Sequence, residues 1–279
     1  MKVFKIILNI LLAFILMIGL LASTLLVIAN NYANKENMLK KFEEINLYNS
    51  VYEEVRDGFE NYIYQSGLDI DIIDKICSRE KVKQDIISVV NAMYGEGDST
   101  IDSTEIRNNL DVAISQYIES QGRKLSTQEE ENIAKFEDLI EESYNEEIGL
   151  YQKGSNEIAR KLPQVLSSIR KAEIASVGVT ALVLIILVAL NAKSISTTGG
   201  YFGVAMLASG VIMIAIKNTI LSKISIDELV VFTKSLSNAL ILIIKDILGA
   251  IQTYGIWYVV CGILIIIVMS AIPLIDKKS

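Results

Sequence analysis

Carboxylates are the groups this chain gathers most densely. Glu96, Asp98, Asp102 and Glu105 lie close together around a loop marked by Gly95 and Gly97. Clustered carboxylate oxygens are what a hard cation such as calcium needs. The spacing departs from an EF-hand loop, which sets acids or amides at alternate positions around a central glycine and closes on a glutamate. The simpler reading is that Asp102 or Ser103 caps the helix that follows, and no metal or other cofactor is expected. Glu141 and Glu142 are a second close pair, of the kind general acid–base catalysis uses. Neighbours on a helix do not face each other, so these two read as solvated.

What is missing narrows the chemistry further. The chain has no histidine, which removes the commonest general base, metal ligand and physiological pH switch. Its two cysteines, Cys77 and Cys261, fall in a polar and an apolar region, so no disulfide and no Cys/His zinc site is expected. There is no phosphate-binding loop, dinucleotide fingerprint or nucleophile elbow. No enzyme activity is expected. One further set of residues is a candidate for binding. Tyr48, Tyr52, Phe59 and Tyr62 recur along a single helical stripe, which suits core packing or, alternatively, a groove for a partner.

These residues sit in a long polar segment, 30–171, held between apolar runs. That segment carries 28 acidic and 17 basic side chains. An acidic domain is a poor match for phosphate backbones, so no nucleic-acid partner is expected. In front of it, residues 6–29 are uncharged and long enough to cross a bilayer. The run reads as an uncleaved signal anchor, although Ala22 and Ala29 leave cleavage open. Behind it, residues 174–190, 199–216 and 254–275 read as three more spans.

Within the polar segment apolar residues recur at steps of three and four. Helices are expected over 36–66 with Gly67 as its stop, over 69–77, from a Ser78 N-cap through Met93, and over 103–121 up to Gly122. Ser126 with Glu129 makes a capping box that opens a helix to about Glu147. Gly149 and Gly154 break the chain, and a last helix from Ser155 is kinked or restarted at Pro163. After the third span, residues 217–252 are too polar to cross. Leu229, Phe232, Leu236, Leu240, Ile243, Ile247 and Ile251 nonetheless form one stripe, an amphipathic helix that either lies on the membrane surface or docks on the polar domain.

The expected fold is therefore all-α. Four transmembrane helices carry a helical water-facing domain inserted between spans 1 and 2. The divisions are 1–29 (anchor), 30–171 (acidic domain), 172–216 (spans 2 and 3), 217–252 (surface helix) and 253–279 (span 4 and a short basic tail). Basic residues near span ends favour a cytoplasmic domain by count. The short basic start followed at once by a long apolar run favours an exported one, and the first span usually dominates. The domain is placed outside the cell membrane.

Two resemblances bear on function. The order of one span, a large domain and three spans resembles the permease subunits of mechanotransmission-type ABC systems, which work with a separate ATPase. The turn at 191–198 is short for an ATPase coupling helix, and no helix precedes the first span. The Lys, Ile, Asn and Glu usage, with stretches at 48–53 and 78–85, is similar to that of uncharacterised multi-span membrane proteins of low-GC Gram-positive bacteria, a likeness that implies no activity. The leading expectation is a structural or interaction protein whose domain binds an envelope partner, with the bilayer as its other surroundings. The permease subunit is the alternative.

Overall fold

The computed structural model describes residues 2–66, 68–97, 101–122, 124–153, 155–223 and 233–276. Among them there is no strand. In chain order the helices are α1 (Lys2–Tyr32), α2 (Lys35–Glu44), α3 (Leu47–Ser66), α4 (Ile73–Ile76, entered from a 3₁₀ turn), α5 (Arg79–Met93), α6 (Thr104–Ser120), α7 (Thr127–Lys153), α8 (Ser155–Leu190), α9 (Ile195–Lys223) and α10 (Lys234–Asp276). The chain is all-α, and α1, α8, α9 and α10 are long and apolar enough to cross a membrane. This is the pattern of a multi-pass membrane protein.

Contacts divide the chain into two compact units. The first comprises Met1–Asn34, Val165–Leu229 and Ile241–Ser279. Here α1 and α9 run one way, with α8 and α10 antiparallel to them. Hydrocarbon surroundings give helices no hydrophobic reason to associate, so close packing and polar bonds must do it. Both devices are present. Along α1 and α8, Asn9 and Asn191 exchange side-chain hydrogen bonds of 3.2 and 2.8 Å. Ser23 meets Ser176 at 2.9 Å, and the Asn30 amide donates to Glu173 at 2.9 Å. Ser209 of α9 donates to the Met17 carbonyl at 2.9 Å, and Thr24 meets the Tyr258 hydroxyl at 2.8 Å. Between α9 and α10, Gly203 faces Gly262 and Gly210 faces Gly255. A Cβ on Gly210 would lie 2.5 Å from the Gly255 carbonyl oxygen, and one on Gly262 would lie 2.7 Å from the Leu207 amide nitrogen. Only hydrogen at those positions lets the backbones approach so closely.

The second unit comprises Lys35–Gln164 and Val230–Leu240. Its core is built from the inner faces of α3 to α7. Val51, Val55, Phe59, Ile63, Ile76, Val82, Ile86, Ile106, Leu110, Ile140 and Ile148 are all buried. The capping chemistry follows the sequence. Ser78 Oγ accepts from the Lys81 amide at 3.1 Å. At the start of α7 the box closes in both directions: Ser126 N–H donates to Glu129 Oε2 at 2.9 Å and Glu129 N–H to Ser126 Oγ at 3.4 Å. At α6 it is Asp102 that accepts from the Thr104 amide, at 3.0 Å, while Ser103 makes no capping bond.

Four boundaries differ from the sequence reading. The helix expected over 36–66 is two helices, because Asn46 turns left-handed (φ 57°) between them, a conformation asparagine tolerates better than most. Gly149 lies inside α7 rather than breaking it, and α8 runs through Pro163 without a stop at 171. The amphipathic helix expected over 217–252 is not one element. Residues 217–223 are the end of α9, and 234–252 belong to α10, which continues without interruption into the last apolar run. Its stripe is spent accordingly. Leu236 and Ala239 pack in the helical unit's core, whereas Ile247, Leu248 and Ile251 pack on Ile28 and Met213 of the spanning unit. Leu229, Phe232 and Gly67, together with Asp98 and Ser99 of the loop, lie outside the described residues.

Candidate functional site

Of the four stripe aromatics, three face inward. Tyr48, Tyr52 and Phe59 are buried and pack in the helical unit's core, the packing role given first for this stripe. Tyr52 donates to Asp74 at 2.6 Å beneath the Arg79 guanidinium, and Phe59 packs against the Tyr144 ring. Burial pushes the Tyr48 and Tyr52 hydroxyls up to about 12, so both stay protonated. Tyr62, one turn beyond Phe59, is half-buried and reaches a groove.

That groove is a concavity of about 500 Å³, within the range of ligand pockets. It lies among the end of α3, the second half of α6 and the first half of α7. From α3 come Tyr62, Gln65 and Ser66, with Leu68 just beyond; α6 contributes Ile114, Tyr117, Ile118 and Gln121; α7 contributes Glu129, Asn132, Ile133, Phe136 and Leu139. Near Ser103 the hairpin of α6 and α7 is closed by Arg107, which binds Glu141 at 2.8 Å and Asp138 at 2.9 Å. Ile118, Ile133 and Phe136 touch the core yet remain partly open, while Tyr117 and Leu139 are exposed.

Glu141 is not simply solvated. It accepts from Ser103 Oγ at 2.7 Å as well as from Arg107, and so ties α6 to α7. Glu142 is exposed. Among the loop acids, Glu96 pairs with Lys35 and Asp102 caps α6. The two bonds from Thr104 hold the Asp102 carboxyl below its ordinary range. No group of three or more metal-ligating side chains is assembled among the described residues.

A second polar cluster lies in the core. Lys81 Nζ donates to Asp85 Oδ1 at 2.8 Å, and the Tyr144 hydroxyl donates to Asp85 Oδ2. All three side chains are buried. Burial first, and then the bond to Asp85, raises the Tyr144 hydroxyl far above its ordinary value. Burial likewise pushes the nearby Cys77 thiol up to about 12, with the Asp85 charge adding to it. A thiol so protonated and so enclosed is not a nucleophile. The cluster is one charge pair and one hydroxyl, bonded to one another.

Of the groove's lining, the sequence marks Tyr62 as a binding candidate and Glu129 as a capping residue; the rest are apolar and polar positions of the expected helices and their connections. One signal is width: on α6 Tyr117 sits beside Ile118, and on α7 Leu139 sits beside Ile140, and Tyr117 and Leu139 are exposed. Neither a protein-family model, nor a curated protein, nor a solved structure matches this chain.

Proposed function

We propose that this protein is a membrane-anchored interaction protein whose helical unit lies outside the cell membrane and docks a protein partner of the envelope. The groove of α3, α6 and α7 carries this reading. It combines a mainly apolar lining with Gln65, Gln121 and Asn132 at its edges, the composition of a recognition surface rather than of a solvated face. The reading draws further support from the polar clusters, each of which is already satisfied by its own neighbours. The permease-type alternative has no comparable support, since only residues 191–194 join α8 to α9.

Two measurements test it. Tyr64 is 86 % exposed; in a Tyr64→Cys, Cys261→Ser protein, a membrane-impermeant maleimide should label intact cells, and labelling only after lysis would refute the exported domain. A photo-crosslinking residue at Tyr117 should trap one protein partner that the same probe at Lys40, on α2, does not. Identical adducts from both positions, or none from Tyr117, would refute docking in the groove.

A further inference from the structure

We infer that α8 holds an anionic phospholipid of the surrounding bilayer, its headgroup on Arg170 and Lys171 and its acyl chains along the outward face of the same helix. The site belongs to the spanning unit and does not depend on the groove or its partner. Three observations carry it.

The first is register. Bonds to α1 fix which side of α8 faces inward: Glu173 accepts from Asn30 at 2.9 Å, and Ser176 and Thr180 meet Ser23 at 2.9 and 3.4 Å. At 3.6 residues per turn, Lys171, Ile174, Gly178 and Leu182 fall on the far side, with Arg170 at its flank. All five are exposed, and a Cβ added at Gly178 would meet nothing within 4 Å. The outward face is therefore two adjacent bases followed by an open apolar strip.

The second is charge. The chain has 33 acids to 26 bases, yet none of those acids answers this pair. Neither Arg170 nor Lys171 forms a salt bridge among the described residues. Glu173, the acid nearest them on α8, is turned inward and engaged by Asn30.

The third is depth. Ile174 opens the apolar run, and Arg170 lies four residues before it, about 6 Å along the axis. The headgroup layer extends about 5–8 Å beyond the hydrocarbon on each side, so both bases stand at the level of the phosphates. A guanidinium fork matches two phosphate oxygens, and the neighbouring ammonium adds a point charge. A soluble acidic partner would meet the bases alone, whereas the face that bears them runs on into hydrocarbon. A zwitterionic lipid covers the strip and brings no net charge to the pair. An anionic lipid carries charge and chains in the same order as the helix does.

The test uses the full chain in nanodiscs of mixed phosphatidylglycerol and phosphatidylcholine, with the acyl chains of one lipid brominated at a time, since bromine quenches tryptophan on contact. A Trp257→Phe, Ile174→Trp protein reads the lipid beside the bases. The parent, through Trp257 on α10, reads the bilayer elsewhere. At position 174 the anionic lipid should be favoured about fivefold or more at low salt, and less as salt rises. Arg170→Gln with Lys171→Gln should bring that ratio close to one and leave the ratio at Trp257 unchanged. Equal quenching by the two lipids at 174 would overturn the inference. A preference that survives the double variant would overturn it in favour of other charges, and an equal fall at Trp257 in favour of a general surface potential. Quenching by neither lipid would overturn it in favour of a protein neighbour, such as a second copy, on this face. The salt series needs no charge variant: a preference independent of salt would overturn the inference even where the double variant misfolds.

Discussion

Replacing Asp85 with alanine isolates the energetics of the buried polar cluster. Lys81 and Asp85 keep 9 % and 8 % of their surface, and their 2.8 Å contact is the charge partner of each in the core. Asp85→Ala leaves an ammonium group and the Tyr144 hydroxyl without their acceptor. Removing one member of a buried pair costs about 3–5 kcal/mol. Cys77 supplies the assay, because its thiol is 1 % exposed and becomes reactive only when the unit opens. In a Cys261→Ser background, the labelling rate at Cys77 reports the opening free energy. At about 1.4 kcal/mol per tenfold, Asp85→Ala should accelerate labelling by roughly 100- to 4,000-fold. The triple variant Lys81→Met, Asp85→Leu, Tyr144→Phe removes every polar partner at once. It should return the rate to within about tenfold of the parent, since a well-packed apolar replacement is often neutral or better. Acceleration of less than about fivefold by Asp85→Ala would refute the cluster as a buried, mutually dependent unit. A triple variant as fast as the single one would show that shape, not charge, was lost.

Three further outcomes follow from the packing. Gly262→Ala forces α9 and α10 apart and should destabilise the spanning unit by about 1–3 kcal/mol, whereas Gly200→Ala, with nothing within 4 Å of the new methyl, should be neutral; thermal melts followed by the single tryptophan, Trp257, compare the two. Asn9→Ala removes the partner of Asn191 on α1, leaving Asn191 its 3.0 Å bond to the Leu187 carbonyl, and should cost about 1 kcal/mol, with Asn9→Ala, Asn191→Ala costing less than twice that if the pair is coupled, as a double-mutant cycle on the same melts would show. Burial, and then the charges of Glu54 and Glu146, raise the Glu147 carboxyl; the folded state then holds the proton more tightly than the unfolded, so this group's contribution is most favourable below the ordinary carboxylate range and falls as pH climbs through the raised value. Glu147→Gln should therefore stabilise the helical unit at pH 8 and leave it unchanged at pH 4, and equal melting of variant and parent at both would refute the shift.

Much of this architecture was legible in the residues, for local reasons. Four uncharged runs announced the long apolar helices, and the caps at Ser78 and Ser126 depend on neighbours three positions away. What escaped depends on distance in sequence. Lys81 and Asp85 look like any i,i+4 surface pair until Tyr144, 59 residues on, closes over them. Asn9 and Asn191 are unremarkable polar residues at the ends of apolar runs until each proves to be the other's partner. The aromatic stripe is genuine, but period alone cannot say whether a face meets its own core or a partner. The groove was least legible. It is lined from three helices, α3, α6 and α7, and no local pattern records which helix ends will meet. The stripe over 217–252 misled for the converse reason: its described residues lie on α10, where one periodicity serves two different cores.

The hydrogen bonds between α1 and α8 have a consequence in time. Asn9 and Asn191 are 182 residues apart, and chains are synthesised at about 5–20 residues per second. For roughly 10–40 s after α1 emerges, its amide and hydroxyl groups have no α8 to meet. An apolar helix bearing unanswered polar groups is a poor guest in lipid. During that interval α1 is the segment with most to gain from an insertase or a membrane chaperone, and the polar seam that later fixes the bundle's register is, for a nascent chain, a reason to be held.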